Sequence, residues 1–291
     1  MAPGVTAPVT AIVTGHRRVD DLLSTLRILS ECDPAPAEIL VHVDGGERGT
    51  AAAVNRAYPS IHVVVSPERV GPGGGRNRLL AIAAHPLVAS FDDDSYPVDS
   101  DYFARVVRVF EEFPDAAIID AQVFHLNEAI APDRRAAMWV ADFSGGACAY
   151  RRDWFLKTGG YLPLPLAYGM EEVDLGLRVH AMGGRVLRSS WLRVFHNTDL
   201  ARHALPEVTS ASVANLALLT YLRYPVALWI VGAGQILNRV QWLMRHGRRA
   251  GIVSGLIHIP AHLAHHRHYR QPLPMATVQS FLSLRRQPVP A

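Results

Sequence analysis

A chain of 291 residues, 49% hydrophobic and 19% charged, can bury a sizeable core, which excludes a disordered polypeptide and leaves one large or two small domains. Two cysteines, Cys32 and Cys148, are too few for a disulfide scaffold or a cysteine zinc site and fit a reducing cytoplasm. The net charge of +3 conceals a division: residues 201–291 carry ten arginines against one acid, Glu207, for +9, and the first 200 residues carry −6.

The amino terminus lacks a basic segment ahead of its apolar part, so no signal peptide is expected. Pro8–Thr14 reads as a strand ending in Gly15-His16-Arg17-Arg18, and Val19–Leu29 follows with apolar residues at helical spacing. Glu38–Val43 and Ile61–Val65 are two more short, β-branched strands, the first closed by a turn at Asp44-Gly45-Gly46. Strands of this kind belong to a doubly wound sheet buried on both faces. Arg69–Arg78 contains Gly71, Gly73, Gly74 and Gly75 and reads as a glycine-rich loop leading into a helix at Leu79–Ala84. Such a loop lets an anion approach the backbone at a helix start, although its spacing matches neither a P-loop nor the dinucleotide fingerprint.

The apolar run from Leu87 stops at Asp92-Asp93-Asp94, placing three carboxylates at the carboxyl end of a strand, where open α/β sheets bind ligands. Adjacent like charges are costly unless a divalent cation and phosphates offset them; the plainer reading is a solvated acidic turn before the helix at Asp101–Phe113. Ala116–Phe124 is a further strand, His125–Arg135 a loop, and Ser144–Tyr150 a run of small residues before a helix at Arg152–Lys157. In Ala167–Gly183, Glu171, Glu172 and Asp174 open a helix. Acids in a first turn suit the helix dipole, and one of them is free to act as a base. Trp191–Phe195 is a last strand, ending at His196.

Taken together, Val9 to Thr198 resembles a bacterial family 2 glycosyltransferase of the GT-A fold, a Rossmann-like mixed sheet flanked by helices. The resemblance implies nucleotide-binding roles for Thr14, Arg17, Asp44, Gly73 and Arg76, with Gly75 standing where the family has alanine. It makes Asp92-Asp93-Asp94 the DXD motif: Asp94 a metal ligand, Asp92 a ligand shared with the ribose, and Asp93 a contact of the nucleotide-sugar donor. Ser144, Gly145 and Gly146 would line the donor sugar and acceptor together with Asp174. Met170-Glu171-Glu172-Val173-Asp174 would carry the catalytic base at Glu172, where aspartate is commoner, with Glu171 the other candidate. His196 would be a further metal ligand. The implied reaction is inverting transfer from a UDP- or dTDP-sugar to an acceptor hydroxyl, with Mg2+ or Mn2+ as cofactor. The implied divisions are a catalytic domain at 1–200, with a nucleotide half to about 95 and an acceptor half from 96, and an extension at 201–291.

That extension reads as helical over Val208–Leu222, Tyr224–Asn238, Gln241–Arg249 and Gly251–His266. A 15-residue uncharged run makes a helix of about 22 Å, short of the roughly 30 Å of a bilayer core. Amphipathic helices that turn arginines and histidines to a membrane surface or an anionic lipid diphosphate acceptor are expected, or a helical dimer. His262 and His266 stand one turn apart without the acidic or cysteine company of a zinc site. No nucleic-acid motif occurs, and a cytoplasmic enzyme, peripheral at the inner membrane face, is the expectation. Two alternatives stay open, a nucleotidyltransferase of related shape and a catalytically silent sugar-nucleotide-binding protein.

Overall fold

The computed structural model describes residues 6–166, 168–198 and 204–291. The expected domain boundary at 200/201 and Ala167, the first residue of the second acidic stretch, lie outside the described residues. The chain opens with β1 (Ala7–Gly15), α1 (Val19–Ser30), β2 (Pro36–Val43), α2 (Arg48–Ala57), β3 (His62–Val65), α3 (Gly71–Ile82) and β4 (Leu87–Asp92). These four strands pair in parallel in the order β3-β2-β1-β4. Alternation along β1 sends Val9, Ala11 and Val13 to one face, against Leu22, Leu26 and Phe91, and Ile12 to the other, against Leu79, Val88 and Leu175. Both faces are therefore apolar and covered, as parallel strands require.

The second half adds β5 (Ser95–Pro97), α4 (Tyr102–Glu112), β6 (Ala116–His125), β7 (Ala137–Val140), β8 (Ala147–Arg151), α5 (Arg152–Lys157), α6 (Glu171–Ala181) and β9 (Arg185–His196). β8 runs antiparallel between β4 and β6, which joins the halves into one mixed sheet, and β6 pairs in parallel with β9. β9 begins six residues before the expected Trp191, because its early residues lie alongside β6 and β7 while Arg188 ion-pairs Asp120 at 2.7 Å.

One expectation is corrected here and one element is added. The glycine-rich loop is helical: α3 starts at Gly71, and its glycines serve close packing. A Cβ on Gly75 would meet His42 Nδ1 at 2.5 Å, and one on Gly73 would collide with Glu171. The turn after Asp44 leads into α2, a short helix with Ala51 and Val54 buried that the sequence reading passed over.

The extension folds as α7 (Pro206–Arg223), α8 (Trp229–Arg245), α9 (Ile252–His266) and α10 (Met275–Arg286), with β10 (Val289–Pro290) pairing β7. Gln241–Arg249, expected as a separate helix, is largely the end of α8. α7 carries α8 through Gly232, whose absent side chain makes room for Thr220, and α9 through Gly255 against Ser210. Leu218, Leu219 and Leu222 of α7 and Phe281 of α10 share one apolar cluster with Leu162, Leu164, Met170 and Leu177 of the catalytic body. The extension therefore lies against the segment that carries Glu171 and Glu172.

Candidate active site

β1 and β4 meet at a strand-order switch, since β1 sits between β4 and β2. Their register sets Thr14 beside Asp92 at the carboxyl ends, and Thr14 Oγ1 donates to Asp92 Oδ1 at 3.3 Å. The chain turns through Asp93 and Asp94 into β5, where Ser95 pairs with His196 of β9 and the Asn197 amide donates to the Asp94 carbonyl at 2.8 Å. This pairing brings His196 Nε2 to 3.1 Å from Asp94 Oδ1. Arg18 bridges the turn, one guanidinium nitrogen on Asp93 and another on Asp94.

The three aspartates are chemically distinct. Burial pushes the Asp93 carboxyl up to about 7, against the pull of Arg18. Burial also acts on Asp94, but the hydrogen bond and charge of His196, with Arg18, outweigh it and hold this carboxyl below its ordinary value. Asp92 is the most exposed of the three side chains and is gripped by Arg76, itself 1% exposed and anchored on Ser90 Oγ at 3.0 Å. Gly146 leaves room for it, since a Cβ there would displace the Asp92 carboxylate from its present position. Ser95 Oγ accepts from the Asp92 amide and donates to the Gly146 carbonyl at 2.6 Å, locking the two segments together.

From α6, Glu171 and Glu172 approach the same place. Glu171 is buried, 3.6 Å from Arg76, and its Oε2 has no hydrogen-bond partner among the described residues. Burial first and the Glu172 charge second raise its pKa well above the ordinary value. Glu172 faces the open cavity and accepts from the Gly145 amide at 3.3 Å. Burial raises its pKa too, with Arg76 opposing. Burial opposes a charge on both, and Glu172, the less buried, is the one with access to a ligand.

Two cavities meet here. One, of about 500 Å³, is lined by Thr14, Arg17, Arg18, His42, Asp44, Asp92 and Asp93 among others. The second, of about 850 Å³, is lined by Arg76, Asp92, Ser144, Gly145, Gly146, Glu171, Glu172 and His196, and on its far side by α7, α8 and α10. Asp92 and Pro72 belong to both walls. The acids at 92–94 and 171–172 thus converge beside the glycine-rich helix start.

Other expected site residues sit differently. Asp44 accepts from the amides of Gly45, Val70 and Gly71 at 3.1, 2.8 and 3.0 Å, so it holds the start of α3 while lining the smaller cavity. Arg17 has a left-handed φ of 62° and pairs with Glu47, leaving Arg18 as the residue on the aspartates. Gly73 lies on neither cavity wall; its missing side chain and its amide accommodate Glu171. Asp174 is also off both walls. It is fully buried between Arg178 and Arg223, at 2.7 and 2.5 Å, an ion triad whose second arginine comes from the extension. The sequence reading missed Arg18 and His42, and the only signal was the adjacency of Arg18 to Arg17. His262 Nε2 donates to Asn215 Oδ1 at 2.9 Å and serves packing of α9 on α7.

Among the described residues no group of three His, Cys, Asp or Glu side chains is gathered closely enough to enclose a metal by itself. Of the three residues expected to ligate a metal, Asp94 and His196 are in contact at 3.1 Å with Arg18 also on Asp94, and Asp92 is held by Arg76; the two carboxylates supply the oxygen donors that Mg2+ or Mn2+ takes.

The sheet order and a site at its carboxyl edges define a GT-A glycosyltransferase fold. Solved structures with that fold resemble the chain: a mannosyltransferase from Pyrobaculum calidifontis in complex with GDP-Man and Mn2+ is 17% identical with a TM-score of 0.58, over 97% of this chain and 82% of that one. GalNAc-T7 with UDP, GalNAc and Mn2+ is 14% identical with a TM-score of 0.58, over 78% of this chain but only 49% of that one. TarS from S. aureus is 13% identical with a TM-score of 0.54, over 89% and 91%. No curated protein sequence matches significantly. The family model for glycosyl transferase family 2 matches residues 10–159, and the chain belongs to that family and is a glycosyltransferase.

Proposed function

We propose that the chain moves a sugar, with inversion, from a UDP- or dTDP-sugar to an acceptor hydroxyl in a metal-dependent reaction of bacterial glycolipid, polysaccharide or glycosylated-metabolite synthesis. The observation that carries the proposal is the pair of cavities sharing Asp92, one suited in size to a nucleotide and the other walled by Glu172. In this reading the body at 1–200 is catalytic and 201–291 completes its acceptor side. Thr14, Arg17 and Asp44 border the nucleotide, with Asp93 beside the donor. Arg76 holds Asp92 in place for the ribose and diphosphate. Asp94, Asp92 and His196 would hold the divalent cation, which when bound neutralises the charge of the departing diphosphate. Ser144, Gly145 and Gly146 let sugar and acceptor approach the backbone.

Glu172 takes the acceptor proton as the oxygen attacks the sugar from the side opposite the diphosphate. A carboxylate whose pKa is raised by burial is a stronger base than a solvated one. Glu171 is raised as well, since burial and the Glu172 charge together oppose a second negative charge on the pair.

Two of the similar structures contain a nucleotide or nucleotide sugar with Mn2+, which supports the donor class and a divalent ion. The test is thermal stabilisation by a panel of nucleotides and nucleotide sugars with and without Mn2+. Stabilisation by UDP or dTDP species that requires the metal is expected; indifference to every nucleotide would remove the proposal.

Among the described residues no helix is long and apolar enough to cross a membrane. Peripheral contact through the extension is proposed from its charge and from exposed apolar residues on α8 and α9, among them Ile230, Leu237, Val253 and Ile257.

A further inference from the structure

The larger cavity is built from two charges. Its inner wall carries Asp92, Glu171 and Glu172, whereas its outer wall carries three arginines of the extension, Arg239, Arg248 and Arg285, with Trp242, Gln235 and Asn238. Arg285 is matched by Asp142 at 2.9 Å. Among the described residues Arg239 has no ion pair; it donates a long hydrogen bond to Ser212 Oγ at 3.4 Å and lies over the face of Trp242, 4.8 Å from the ring centroid. The guanidinium of Arg248 lies 5.7 Å from the same ring. The single acid of residues 201–291, Glu207, is absent from this wall. Burial first and the Arg248 charge second lower the Arg239 pKa from its ordinary value, with Tyr168 opposing. Arg239, half out of water with the positive charge of Arg248 beside it, is stabilised when an anion enters the cavity against it.

We propose that the Arg239–Arg248 end of the cavity is a phosphate subsite that recognises a phosphorylated acceptor, presenting its hydroxyl toward Glu172 at the other end. The proposal rests on the transfer reading for the word acceptor, but the phosphate site itself does not. Arg is suited to the task because its planar fork donates two hydrogen bonds to phosphate oxygens, and Trp242 supplies an apolar floor for the group that bears the phosphate. The phosphate belongs either to a soluble sugar phosphate or to a lipid phosphate, since the cavity opens among helices that also expose apolar residues. Arg239 is here a specificity residue and touches no reacting atom.

The test is calorimetric titration of the full chain, with UDP and Mn2+ filling the smaller cavity, by glucose 1-phosphate and by dodecyl phosphate, with glucose and dodecyl glucoside as neutral counterparts. At least one phosphate binds, at least about tenfold more tightly than its neutral counterpart, and Arg239→Gln weakens it about tenfold or more, the loss expected for a charge-assisted hydrogen bond. Arg239→Lys retains more affinity than Arg239→Gln, which separates lost charge from lost folding, and UDP affinity is the same in all three proteins. Preference for glucose 1-phosphate marks a soluble acceptor, and preference for dodecyl phosphate a lipid one. Absence of binding by either phosphate, equal binding of the neutral counterparts, or an unchanged Arg239→Gln overturns the subsite. If UDP fails to bind, the transfer reading falls, and titration of the nucleotide-free chain with the same phosphates still decides the subsite.

Discussion

Replacing Asp174 by alanine separates a structural role from the site role that its sequence position suggests. The Asp174 carboxylate is 0% exposed and accepts from Arg178 Nε and Nη2 at 2.9 and 2.7 Å and from Arg223 Nε and Nη2 at 2.5 and 3.4 Å. Its removal leaves two guanidiniums in the interior without their shared anion, a change that costs about 3–5 kcal/mol. For a chain of this size each kcal/mol shifts the melting temperature by about 2–4 °C, so the variant should melt roughly 6–20 °C below the parent. The arginines hold the folded Asp174 pKa below its ordinary value despite burial, which acts in the opposite direction. The stabilisation is therefore complete above the ordinary carboxylate pKa and is lost as pH falls through the lower folded value, so the gap between the two proteins should be full at pH 7 and narrow below about pH 4. Differential scanning calorimetry across pH, with donor binding at 25 °C in parallel, makes the measurement. An unchanged melting temperature, with donor binding lost, would refute the structural role and return Asp174 to the site.

Gly146→Ala puts a methyl group onto the Asp92 carboxylate and should slow donor turnover by about a hundredfold, whereas Gly49→Ala, which meets nothing within 4 Å, leaves turnover unchanged; steady-state release of UDP from a donor it accepts distinguishes them. His42 is buried against Ser66, and burial lowers its pKa to about 4 despite the charge of Asp44. Because the folded value lies below the unfolded one, the stability tied to neutral His42 is full above about pH 6.5 and declines toward pH 4, by about 3 kcal/mol in all. His42→Asn should flatten the acid decline in melting temperature over that range, and an identical profile would contradict this. Anionic vesicles should float the full chain but not a chain carrying Ile230→Asp and Ile257→Asp; equal flotation of both removes the membrane contact.

Much of the fold was legible because its signals are local. β1, β2 and β4 are short apolar runs broken by turn residues, and α1 and α4 bury residues at helical spacing, such as Leu22, Leu26 and Leu29 or Phe103, Val106 and Phe110. What escaped depends on partners distant in sequence. α2 buries only a small apolar face of Thr50, Ala51 and Val54. The glycines at 73–75 read as a loop until Glu171, Tyr161 and His42 are seen packed where their side chains would be. Asp174 reads as a site acid until Arg223 arrives from 49 residues away. The convergence of 92–94 with 171–172 was legible through the order of the motifs, while Arg18, His42, Arg239 and Arg248 carry no motif and join the cavity walls only through the fold.

The most direct measurement compares Glu172→Gln with Glu171→Gln in a donor-turnover assay, with donor affinity determined for each protein. Glu172→Gln should lower turnover by about 10²–10⁴-fold with donor affinity nearly unchanged, because it removes the proposed base and leaves the Gly145 amide a partner oxygen. Glu171→Gln, which puts a neutral amide where burial and the Glu172 charge oppose ionisation, should keep most of its activity. Full turnover in Glu172→Gln, or the loss falling on Glu171→Gln instead, would contradict the assignment of the base and the cavity geometry on which it stands.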